Sequence, residues 1–108
     1  MQETISLRIS QKRLIGQTLK VFFTDEKSRA SKVLMFINVA AFIDFPIEKV
    51  ENYIIQVREG GSSYGLDMAS QLGRPEVEKY PETFLFVDKA GGYYTLRVLS
   101  EKVEWGGF

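Results

Sequence analysis

Apolar and polar residues alternate at three separate places in this chain, and that period of two confines it to sheet-forming folds. Ile5, Leu7 and Ile9 alternate with Ser6, Arg8 and Ser10, which predicts a strand with one dry face and one wet face. Leu19, Val21 and Phe23 repeat the pattern after Gly16, which marks a turn or bulge. The third place is a pair: residues 83–88, apolar from Phe84 to Val87, and 93–99, alternating from Tyr94 to Val98, flank Asp88-Lys89-Ala90-Gly91-Gly92. Such a connection has the glycines a hairpin loop needs for positive φ. Between the second and third places, a polar stretch at 25–29 leads into Lys32-Val33-Leu34-Met35-Phe36-Ile37, apolar on both faces. That composition predicts a central strand covered on both sides. Residues 39–43 continue it past Asn38, where a bulge would take up the extra residue. The opening third therefore reads as a three-stranded antiparallel meander, and the tail from Val103 to Phe108 as an edge strand.

The middle is less clear. In 46–58, Ile47, Val50, Ile54 and Val57 fall on one helical stripe, with Pro46 suited to a first turn and Gly60-Gly61 to a stop. Tyr53-Ile54-Ile55-Gln56-Val57 is also good strand composition, so strand stays open, with helix favoured. Gly60-Gly61-Ser62-Ser63-Tyr64-Gly65 reads as a loop. Residues 66–72 suit a two-turn helix closed by Gly73, and Pro75 opens a short turn running to Tyr80. The expected fold is α+β and predominantly antiparallel, with about six strands, one or two short helices and one domain over 1–108.

Composition removes most chemistry. There is no His and no Cys, so no His-based triad, thiolate nucleophile, disulfide or ordinary zinc site can be built. The acidic pairs Asp25-Glu26, Glu48/Glu51, Glu76/Glu78 and Glu101/Glu104 could divide acid and base roles only if they converged in a pocket; solvated faces are their ordinary place. No cofactor or metal is expected, and the glycines at 60–65 lack the Lys and Ser/Thr pattern of a phosphate loop. Fourteen basic and fourteen acidic residues cancel. Residues 1–33 carry seven basic against three acidic side chains, however, and 34–108 seven against eleven. Arg8, Lys12, Arg13 and Lys20 near Phe22 and Phe23 have the look of a strand-binding sheet, but zero net charge argues against nucleic acid. No apolar run is long enough for a membrane helix and no secretory leader is visible, so a cytoplasmic setting is expected.

The segment Phe36-Ile37-Asn38-Val39-Ala40-Ala41-Phe42 and the closing hairpin, followed by Glu101-Lys102-Val103-Glu104, resemble small β-rich bacterial immunity-type proteins of polymorphic toxin loci. The resemblance implies a protein that binds and blocks one partner. It carries no functional residues across.

By elimination the expected function is protein binding, without enzyme activity. A small-ligand-binding β-rich domain is the alternative, and a carboxylate-based enzyme comes after it. Tyr64 and Trp105, large rings in Gly-rich context, are the expected partner anchors, with Glu76 and Glu78 steering a partner that would then be basic. A homodimer stays open as well; nucleic acid and membrane are not expected partners.

Overall fold

A computed structural model describes residues 2–25, 27–45, 53–87 and 94–106. Its seven strands form one sheet with every pairing antiparallel. In chain order they are β1 (Gln2–Ile5), β2 (Arg8–Ile15), β3 (Thr18–Thr24), β4 (Ser31–Asp44), β5 (Tyr53–Arg58), β6 (Glu82–Val87) and β7 (Tyr94–Gly106). Helix α1 (Ser63–Leu72) and a 3-10 turn (Pro75–Lys79) lie between β5 and β6. The α+β, sheet-dominated architecture expected from the alternation is the one observed.

The sheet order is β1-β5-β6-β7-β4-β3-β2, so β1 and β2 stand at opposite edges although only Ser6 and Leu7 separate them. Six strand spacings span about 29 Å in a flat sheet, whereas the Ile5-to-Arg8 link reaches at most about 11 Å. The sheet must therefore roll until its edges meet. Phe23 of β3 and Tyr53 of β5 confirm this: four spacings apart in the order, about 19 Å if flat, their rings are 6.2 Å apart. The single first strand expected at Ile5–Ile9 is thus two strands, one for each edge, with Ile5 and Ile9 both buried in the same core.

Inside the roll lie Leu19, Val21, Phe23, Leu34, Phe36, Tyr53, Ile55, Leu85, Leu96 and Val98, the inward set of each alternating strand. The meander β2-β3-β4 is as expected, and β4 does continue past Asn38. Asn38 has φ +56°, and the register of β4 against β7 shifts between Val39 and Ala41. Asn tolerates this left-handed conformation better than most residues. Its side-chain amide donates to the Tyr80 hydroxyl (3.1 Å) and to Glu101 Oε2 (3.0 Å), tying the bulge to the segment after the 3-10 turn.

Four expectations need correction. Residues 53–58 are strand, not helix, because β5 is zipped on both sides, to β1 and β6; residues 46–52 lie outside the described residues. Tyr53 and Ile55 point into the core, and a helix could not supply two ladders at once. The loop expected at 60–65 ends early: Ser62 accepts the Gly65 N–H at 3.0 Å and starts α1 at Ser63. The strand at 32–37 is central, but its outer face is only partly covered: Val33 is buried there, whereas Met35 and Ile37 stay half-exposed. The expected C-terminal edge strand is not a separate strand but the far half of β7, which beyond Leu99 is paired with β4 alone. The hairpin of β6 and β7 stands as expected, although its connection, 88–93, lies outside the described residues.

Helix α1 stops at Gly73, whose φ of +64° is the left-handed cap that glycine adopts without steric cost. The whole helical excursion closes on itself where Gly60 meets Lys79. Gly61 N–H donates to the Glu78 carbonyl at 2.9 Å, and a β-carbon on Gly60 would sit 2.1 Å from the Lys79 carbonyl oxygen. The obstacle is backbone, so it cannot swing away. Gly60→Ala is expected to destabilise the chain by about 2–3 kcal/mol, at the upper end of overpacking costs. Chemical denaturation checks this; a loss below about 0.5 kcal/mol would mean that the junction is looser than drawn.

Candidate interaction site

The outward residues of β4 to β7 form rows set by the register. Ile43 lies opposite Arg97, Arg97 opposite Phe84, and Phe84 opposite Gln56. One step along, Tyr94 lies opposite Phe86 and Phe86 opposite Ile54. Phe45 extends that row, its ring 5.8 Å from Tyr94. Its backbone is pinned there, because Phe45 N–H donates to the Thr95 carbonyl at 2.7 Å and the Thr95 hydroxyl donates back to the Phe45 carbonyl.

The rings are ordered against one another. Phe84 and Phe86 stack at 5.6 Å, as residues two apart on one strand face can, and Tyr94 meets both edge-on at 5.4 and 6.5 Å. Phe84 is buried beneath its neighbours. Phe86, Tyr94 and Ile54 are half-exposed, and Phe45 is 50% exposed.

Two guanidinium groups border the rings. Arg58 lies 4.7 Å from the centre of Phe84, and Arg97 lies 4.3 Å from Tyr64 and 5.1 Å from Phe84. Arg97 is held by Glu82, almost fully buried, at 3.2 Å, and Glu82 also accepts the Ser62 hydroxyl at 3.0 Å. Since Ser62 caps α1, one carboxylate joins the helix start to the sheet. Burial opposes the charge on Arg97, but hydrogen bonds to Glu82 and Tyr94 outweigh it and raise the Arg97 pKa. Burial likewise lifts the Tyr64 phenol above its ordinary value, with the Arg97 cation opposing.

The expected site residues fall in three places. Tyr64 is in the first turn of α1, half-buried, its ring against Arg97 and beside the small cluster of Ala69, Val77, Tyr80 and Leu99. Trp105 is on the inner side of β7, half-buried, 5.9 Å from Phe23 and with the Lys32 ammonium 5.3 Å from its centre. Glu76 and Glu78 are exposed on the 3-10 turn, outside the sheet. A hydrogen bond from Arg74, 2.9 Å away, holds the Glu76 carboxyl below its ordinary pKa. Trp105 and the two glutamates therefore belong to opposite sides of the sheet. Glu48, Glu51 and Phe108 lie outside the described residues.

Phe45, Phe86, Tyr94, Ile54 and Arg58 were not singled out by sequence. The available signal was Phe84-Leu85-Phe86, which puts two rings on the face opposite the inward Leu85. Among the described residues, no three carboxylates gather into a group able to hold a metal ion, and no helix is long and apolar enough to cross a membrane. No family model matches the chain, and neither the curated proteins nor the solved structures include a match to it.

Proposed function

We propose that this chain is a protein-binding module that occupies one partner, without enzyme activity, and that the outer face of β4 to β7 is its anchor surface. The observation that carries this is the half-exposed row Phe45–Tyr94–Phe86–Ile54, one side chain from each of β7, β6 and β5 and one from the residue that follows β4, bordered by Arg58. Aromatic rings and Arg are the residue types that supply most binding energy at protein interfaces. The rings are packed before any partner arrives, so little side-chain freedom is lost on binding. Among the described residues the buried carboxylate of the neighbourhood, Glu82, is already engaged by Arg97 and Ser62, which favours a structural role over proton transfer. The likeness to immunity-type proteins fits a role of blocking a partner in the cytoplasm. Arg58 at the rim suits a partner with a carboxylate there, in place of the basic partner that Glu76 and Glu78 would steer.

The test is site-specific photocrosslinking in cells, with a benzophenone residue at Phe86 and, as control, at the exposed Gln71 of α1. One discrete crosslinked protein is expected from position 86 and none from 71. Phe45→Asp should abolish it while shifting stability by less than about 1 kcal/mol, because the ring is half in solvent. A crosslink to nucleic acid, or equal crosslinking from both positions, would overturn the proposal. A crosslink to a second copy of the chain would identify the partner as itself.

A further inference from the structure

On the other half of the sheet the register aligns a second outward row: Arg13 opposite Lys20, Lys20 opposite Met35, and Met35 opposite Glu104. The neighbours on β3 and β4, Leu19, Val21, Leu34 and Phe36, are buried inside, and those on β7, Val103 and Trp105, pack against the same core, so this row points out. Arg13 and Glu104 are exposed, Lys20 and Met35 half-exposed. Among the described residues none of the three charged groups has an ion pair or a side-chain hydrogen bond. Two like charges directly opposite on paired strands destabilise a sheet, and here nothing local offsets them. Glu104 is two strands from Lys20, about 10 Å by strand spacing, too far for contact. Apolar Ile15 and Ile37 stand one step along the same face, Ile15 opposite Thr18 and Ile37 opposite Lys102.

We propose that this row is a docking site for an amphipathic α-helix of a partner protein, laid across the strands. Its contacting face would carry two acids one turn apart, an apolar residue a turn on and a Lys or Arg a turn beyond that. The match is geometric as well as electrostatic. A helix advances 5.4 Å per turn and strands are about 4.8 Å apart, so each turn meets the next strand, with a drift of only about 2 Å over three steps. The charge order selects the class of partner. A nucleic acid or an anionic membrane presents one sign everywhere and is repelled at Glu104, whereas a helix with its basic residue at that end is complementary along the whole row.

The probe is a fluorescent, stapled helical peptide with Glu at i and i+4, Leu at i+7 and Lys at i+11, read by anisotropy. The full chain should bind it, and a peptide with all three charges inverted should bind at least about tenfold more weakly. Lys20→Glu should cost a similar factor, and the Arg13→Glu, Lys20→Glu double variant should prefer the inverted peptide. Arg13→Glu alone, at an exposed position, serves where Lys20→Glu perturbs folding. Phe45→Asp should change nothing here, which separates this surface from the aromatic one. No binding of the first peptide at about 1 mM, equal binding of both peptides, or binding of phosphatidylserine vesicles or oligo(dT) that Lys20→Glu abolishes would each overturn the proposal.

Discussion

Phe23→Ala is expected to destabilise the chain by about 3–5 kcal/mol, the range for removing a fully buried aromatic ring. Phe23 is wholly inaccessible and holds the roll shut where its walls approach, touching Tyr53 of β5 on one side and Trp105 of β7 on the other. Truncation removes the ring's own burial and also leaves a void between elements that are distant along the sheet. Those elements cannot close over it without changing the curvature of every strand between them. At about 4–8 °C per kcal/mol for a chain of this size, the melting temperature should fall by well over 10 °C. Ile15→Ala, at a position 52% exposed near the β2–β3 turn, should cost less than about 0.5 kcal/mol. Urea denaturation of both variants checks the pair. A loss below about 1.5 kcal/mol for Phe23→Ala would mean that the sheet is flatter than described.

Glu82→Ala is expected to cost about 3 kcal/mol. Breaking a buried ion pair by removing one partner is expensive because the other charge is stranded, and the figure is at the low end here because Arg97 keeps some contact with water. The Arg97 side chain is 23% exposed and that of Glu82 only 2%. The same substitution frees Ser62, so the start of α1 loses its tie to the sheet. A double variant, Glu82→Leu with Arg97→Met, should recover much of the loss, since apolar replacement of both members removes the stranded charge. If the single variant were as stable as the parent, the ion pair would be spectating and the helical excursion would be held by Tyr80, Val77 and Leu99 alone. The Arg97 substitution should also loosen the packing of Tyr64 and Phe84, which share its guanidinium, and so weaken partner capture at position 86.

The charge imbalance along the chain shows how folding redistributes a sequence feature. The basic opening third supplies Arg13 and Lys20, yet β7, from the acidic remainder, lies beside β4 and puts Glu104 into the same outward row. The two signs meet in one row.

Local signals were legible wherever backbone geometry within a few residues decides the outcome. The strands at 18–24 and 83–87, the stop at Gly73, the short turn after Pro75 and an irregularity of β4 beside Asn38, realised as a register shift between Val39 and Ala41, each depend on neighbours in the chain, and each was readable. Long-range pairing decided the rest. Residues 53–57 carry both a helical stripe and strand composition, and only the ladders to β1 and β6 choose between them. The split of the first strand at Ser6-Leu7 follows from closing the roll, which no local pattern encodes. The aromatic face was hidden for the same reason: Ile54, Phe86 and Tyr94 come from three strands and Phe45 from the end of β4, and they become neighbours only through strand order and register. Tyr64 and Trp105 were legible as large rings among glycines. Whether such a ring docks on its own fold depends on what surface the tertiary structure brings to it, and here it brought Arg97 to one and Phe23 to the other. A strand's period determines which side chains share a face; which face meets which partner is settled by packing across the whole sheet.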